Sequence, residues 1–341
     1  MLNFESILAN GAAPPGESIG RSRDGRPIHA WRFGTGPRRV SLLAGNHADE
    51  PVGPRLLAHV VRALAALPPE HEALTTWEWW IIPHTNPDGA AANAAWTGSL
   101  GEAVDPVRYL EHVVRELPGD DLEFGFPRDV DDHEARPEAR AIDAWWRSSP
   151  KPFALHASLH GMSIARGPWF LLDAAWADRS APLRERCAQE VARLGYLLHD
   201  VDRGGDKGFV RIGPGFSTRP DSRPMAQYFR DRGDHATAAL FRPTSMEAVR
   251  RLGGDPLTLV SEMPLLLSPR PEPGAPPETS EDLRTQRDRL GRWGARLRSG
   301  ADEHEIGREI AAAGLVPMPI PDQMRLQWAL VTAGIDLVTS T

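Results

Sequence analysis

A single cysteine, Cys187, stands in the 341 residues, so no intrachain disulfide can form and no thiolate cluster can hold a metal. Any metal must be bound by His, Asp or Glu. No stretch approaches the ~20 apolar residues of a membrane span. The N-terminal MLNFESILANGAAPPGES also lacks the basic segment and apolar run of a secretory signal. A cytoplasmic protein with no membrane partner is therefore expected. Cationic excess is missing too: 39 Lys and Arg face 46 Asp and Glu, a net charge of -7, which argues against nucleic acid as a partner. The HEIGR and HEALT segments begin like HExxH but lack the second histidine, and there is no GxSxG elbow, Walker loop or GxGxxG after a strand. Nor is there an internal repeat. What remains, with 41% hydrophobic residues, is the composition of an ordinary globular protein with one large core.

Apolar runs alternate with helical patterns. VSLLAG at 40–45 and TWEWWIIP at 76–83 read as buried strands, with a helix from Gly53 to Leu67 between them. Later strands are expected at Phe153–Leu159, Trp169–Asp173 and Leu257–Val260, and helices near Glu134–Arg147 and Pro182–Leu194. Such alternation predicts an α/β fold, a sheet flanked by helices. From Arg203 to Gly254 the chain is rich in Gly, Pro and Arg and reads as extended loops of the kind that cover a site. SPRPEPGAPPETSED at 268–282 reads as a linker ending in a helix cap at Thr279 or Ser280. The expected organisation is a catalytic domain over 1–267 and, over 268–341, the linker and a peripheral helical appendage.

Three segments offer chemistry. GNHADEPVG places His47 and Glu50 three residues apart where a buried strand ends, and imidazole with carboxylate suits zinc when thiolates are absent. The bland reading is a solvated turn with Glu50 at a helix start. FALHASLHGM carries His156 and His160 on one face of a strand. Either could be a ligand or a satisfied core residue, and the carboxyl end of a strand favours His160. In LTLVSEMPL, Glu262 leaves a buried strand, either to pair with an arginine or to act as general base for a metal-activated water. NPDG at 86–89 reads as a structural turn.

Together with GRSRDGRPIHAWRFG, IIPHTNPDG, GDDLEFGFP and RPEAR, these segments fall in one order over residues 19–265, and the chain resembles the zinc carboxypeptidase family of metallopeptidases. The resemblance implies a mixed, largely parallel central sheet, and one Zn2+ per chain held by His47, Glu50 and His160. It also implies Glu262 as general base, and Asp121 as the carboxylate that orients the first zinc histidine. The activity implied is hydrolysis of a peptide or peptide-like amide. Two readings stand beside it: a small-molecule amide or ester hydrolase of the deacylase type, and a zinc-binding module without catalysis.

The departures bear on substrate. Where the family has Asn-Arg to grip a terminal carboxylate, this chain has Glu123 and Phe124, which cannot replace an arginine fork. Glu123 is then expected to meet a cationic group of the substrate, and Arg128, Arg211 or Arg219 to supply the missing charge. Arg108 and Arg115 are the candidates for the arginine that polarises the carbonyl. At the expected distance before Glu262 the family's tyrosine is replaced by Leu240 and Phe241, with Tyr228 further back.

Overall fold

A computed structural model describes residues 2–8, 11–149, 151–272 and 274–340. Its centre is one ten-stranded sheet: β1 (Glu17–Arg21), β2 (Pro27–Phe33), β3 (Arg38–Ala44), β4 (Trp77–Ile82), β5 (Leu155–Ala165), β6 (Trp169–Leu172), β7 (Arg211–Gly213), β8 (Phe216–Thr218), β9 (Leu257–Leu267) and β10 (Val316–Pro317). The spatial order is β1-β2-β4-β3-β5-β9-β6-β8-β7, with β10 also on β9. The four central strands β4, β3, β5 and β9 run parallel, and antiparallel pairs flank them. The apolar runs imply an α/β sheet covered by helices, and the mixed, largely parallel arrangement expected with the family resemblance is the one found.

Alternation along the central strands fills both faces. Val40, Leu42, Trp79 and Ile81 point into a large core beneath the helices Val52–Ala65, Ala181–Arg193 and Ile320–Ser340. Leu43, Trp80 and Ile82 point the other way, against Ile142 and Trp146 of the helix Pro137–Arg147. Parallel strands covered on both sides must be apolar on both sides, which is why they read as continuous apolar runs.

Three expectations need correction. The region read as extended loops holds short helices at Ser222–Arg230, His235–Leu240 and Ser245–Arg250, the last closed by a capping box between Thr244 and Glu247. NPDG is a helix start: Asn86 Oδ1 accepts from the Gly89 amide at 3.0 Å, and Pro87 takes the first position, where its missing N–H costs nothing. The expected Thr279–Asp282 cap is present at the start of helix Ser280–Arg298, but the C-terminal segment beyond it is not peripheral. Leu326, Leu330 and Val331 of helix Ile320–Ser340 are fully buried in the main core, and β10 pairs with β9.

Candidate metal centre

The register of the sheet builds the site. Strand β3 ends at Ala44, level with Leu159 of β5, so His160 is the first β5 residue past that end. It lies beside Glu262, its partner on β9. Gly45, at φ +79°, turns the chain out of β3, and a Cβ there would meet the His84 ring at 2.8 Å. The turn carries His47, Asp49 and Glu50 over the strand ends, and Glu50 precedes the helix Val52–Ala65. Close packing of that helix on the sheet rests on Gly53, where a Cβ would come within 2.6 Å of the Leu159 carbonyl oxygen.

His47, Glu50 and His160 converge, with one ligand atom from each lying within 4.8 Å of the others. His47 Nδ1 is 2.7 Å from Glu50 Oε1, His160 Nδ1 is 2.9 Å from Glu50 Oε2, and the two Nδ1 atoms are 3.1 Å apart. The far nitrogens are held by other groups. His47 Nε2 lies 3.3 Å from Asp121 Oδ1, and His160 Nε2 lies 2.7 Å from Ser158 Oγ and 3.2 Å from Glu123 Oε2. Acceptors at Nε2 put the proton there and turn the Nδ1 lone pairs toward each other. Two such nitrogens 3.1 Å apart, with a buried carboxylate against both, form a set of donors into which a cation fits. This nitrogen and oxygen donor set fits zinc.

The electrostatics agree. Burial opposes ionisation of Glu50, but His47 and His160 outweigh it and hold the carboxyl well below its usual range. Burial likewise disfavours the His160 imidazolium, yet Glu50 and Glu123 push it up to about 9. Glu262 behaves oppositely: burial, then the charge of Glu50, raises it to about 7.

The other expected residues divide. Asp121 stands where expected. His156 is not a ligand: it is fully buried, 3.1 Å from Ser41 Oγ and edge-on to Trp146. Glu123 does not face substrate. It is fully buried beneath His160 and is also engaged by Arg219 at 3.1 Å, Asn46 and Ser245. Arg219 is thereby consumed inside, and Arg211 is paired with Asp200 at 2.8 Å. Arg128 lies on the surface, its amide donating to Asp132. Arg108 is also at the surface, where its Nε donates to the Ala95 carbonyl. Of the two candidates for the carbonyl-polarising role, it is Arg115 that reaches the site, 3.1 Å from Asp49 Oδ2 and 4.0 Å from Glu50 Oε1. Tyr228 packs on Phe229 and Arg232 and is not among the residues that line the cleft.

His47, Glu50, Glu262 and Arg115 line one cleft of about 90 Å³, walled by Trp169, Phe209 and Leu283. Two further cations on its wall, Arg203 and Arg287, are not singled out by any motif in the sequence. Arg203 lies in the stretch that reads as covering loops, which is a usable signal. Arg287 lies in the segment that reads as peripheral, where nothing points to a site.

Residues 16–169 match the family described as zinc carboxypeptidase, which bears out the resemblance. No curated protein matches the chain. Among solved structures, a candidate metallopeptidase from Shewanella amazonensis is 13% identical at a TM-score of 0.50, over 98% of this chain and 92% of that one. One from Shewanella baltica is 11% identical at a TM-score of 0.52, over 94% and 85%. At these identities the likeness is one of fold.

Proposed function

From the match of residues 16–169 to the zinc carboxypeptidase family, we propose that the chain is a zinc-dependent hydrolase of a peptide or peptide-like amide bond. The observation that carries this reading is the convergence of His47, Glu50 and His160 at the floor of the cleft that His47, Glu50 and Glu262 line. His47 Nδ1, His160 Nδ1 and the Glu50 carboxylate would hold one ion per chain. When bound, zinc supplies a Lewis acid that polarises a carbonyl and makes water more acidic.

The protein's own groups do the rest. Glu262, raised to about 7 by burial and by Glu50, accepts the proton of an attacking water on a carboxylate oxygen and delivers it to the departing amine nitrogen. The amide thus becomes a carboxylic acid and an amine, with one water consumed. Asp121 and Glu123 fix the imidazole rings through Nε2. Arg115, steered by Asp49 toward Glu50, stands where a carbonyl oxygen gaining negative charge would be met by a cation. The inward turn of Glu123 also favours the deacylase-type reading, because the family's grip on a terminal carboxylate is absent at that position.

The test is elemental analysis of purified wild type, His160→Ala and Glu262→Gln, with amide hydrolysis assayed in parallel. The expected result is about one zinc per chain in wild type and in Glu262→Gln, loss of zinc in His160→Ala, and a fall in turnover by several orders of magnitude in Glu262→Gln. A wild type that neither contains zinc nor takes it up would leave only a likeness of fold.

A further inference from the structure

Two guanidiniums on the cleft wall, Arg203 and Arg287, are in no direct ion pair among the described residues. Arg219 is spent on Glu123, Arg115 on Asp49 and Arg211 on Asp200. Among the described residues, Arg203 and Arg287 meet neither a carboxylate nor a carbonyl, and the Arg203 Nε is buried without a partner. Burial, and then the charge of Arg287, make the place of Arg203 a poorer one for a cation, which Asp206 and Glu262 only partly offset. Glu262, Asp206 and Asp49 act on them only at a distance, through their charge, and guanidiniums without a direct partner are costly to keep in a partly desolvated wall. Their position is nonetheless fixed by packing. Trp169 is the register partner of Glu262, Phe209 stacks on Trp169 at 5.5 Å, and the Arg203 guanidinium lies 4.2 Å over the Phe209 ring. Arg287 comes from helix Ser280–Arg298, whose Leu283 joins the same aromatic cluster.

Resting on the proposed hydrolase function, we infer that Arg203 and Arg287 bind a carboxylate of the substrate, in place of the Asn-Arg pair that the chain lacks. Guanidinium forks match a carboxylate bidentately, and the surrounding Trp169, Phe209 and Leu283 lower the local dielectric and strengthen the pairing. Both arginines lie outside the family-matched residues 16–169, so this grip is a feature of the chain's second half. Arg115 and Arg287 also line a neighbouring cavity of about 460 Å³ between the helices Pro106–His112 and Ser280–Arg298. That cavity can take the part of the substrate beyond its carboxylate. The substrate is accordingly an amide with a carboxylate near the bond that is cut, either a chain terminus or an acidic side chain.

The experiment is calorimetric titration of succinate into zinc-loaded wild type, Arg203→Gln, Arg287→Gln and the double variant, with zinc content and thermal melting followed in each. The expected result is binding to wild type, weakened about tenfold or more by each single change and lost in the double variant, at unchanged zinc content and melting temperature. Equal affinity in wild type and double variant, or no binding by wild type, would overturn the inference. Repeating the titration in metal-free protein separates the two claims. A loss caused by the double variant there supports the arginine wall even in a chain that takes up no zinc, and failure of zinc uptake strikes the proposed function alone. Competition against succinate then tells the sources apart: glycylglycine displaces it if a terminal carboxylate is recognised, and N-acetylaspartate α-amide if a side chain is.

Discussion

Each imidazole of the candidate metal centre is held at its far nitrogen by an acidic group, half-buried in one case and fully buried in the other. Asp121 takes His47, whereas Glu123 takes His160 while being neutralised by Arg219. Replacing Asp121 by Ala should weaken zinc binding by roughly 10–100-fold, because the His47 ring loses its orientation and its basicity. Equilibrium competition with a chelator measures this, and unchanged affinity would remove Asp121 from the role. Glu123→Gln should do more than weaken zinc. It leaves Arg219 facing a neutral amide in the interior, and removing one partner of a buried pair costs about 3–5 kcal/mol. The two variants therefore separate by melting temperature in metal-free protein: Glu123→Gln falls further than Asp121→Ala, which loses only the part of the His47 charge stabilisation that Asp121 supplies beside Glu50. The sequence makes His47, Glu50 and His160 candidates, because each sits where an apolar strand runs out into polar residues, and the resemblance to the zinc carboxypeptidase family is what joins them into one set. The direction of Glu123 is not legible there, since Asn46, Arg219 and Ser245 reach it from 77, 96 and 122 residues away.

At the level of elements, strands β3, β4, β5 and β9 are legible as apolar runs because both faces of the parallel centre are covered. Helix Ile320–Ser340 is misread as peripheral for a related reason: what a helix buries is visible in its pattern, but what it buries it against is not. It supports the site as well as the core. Gln327 Nε2, fully buried, donates to the His160 carbonyl and to Ser261 Oγ, both at 3.1 Å. A chain ended after residue 267 should therefore lose cooperative unfolding, as seen by circular dichroism in a denaturant series, rather than retain an intact catalytic domain. Leu330→Ala supplies the graded control. It should cost about 2–5 kcal/mol, the range for truncating a fully buried leucine in a packed core. A truncated chain that unfolds as sharply as the full one would show helix Ile320–Ser340 to be dispensable.

For the molecule as a whole, the buried titratable groups predict how stability depends on pH, and the prediction changes with metal. His84 and His156 are lowered to about 4, in both cases by burial. Between about pH 4.5 and 6.5 the unfolded chain binds these two protons and the folded chain does not, so both make stability rise with pH. Glu262, raised to about 7 by burial and Glu50, opposes them over the same window with one proton, leaving a net gain of about 1.4 kcal/mol per pH unit. Above about pH 6.5 the sign reverses in metal-free protein. His160, raised to about 9, and His47, also raised, keep protons that the unfolded chain has lost, and the stability they contribute below their unfolded value drains away as pH climbs. Metal-free protein should thus be most stable near about pH 6.5, falling on both sides. Zinc takes the place of those protons at Nδ1, so the loaded protein should keep its stability through the alkaline limb. Denaturant unfolding of both forms at about pH 5, 6.5 and 8.5 checks this. Metal-free protein as stable at the highest of these as at the middle one would mean that His47 and His160 do not carry the charge that the Glu50 carboxylate draws onto them.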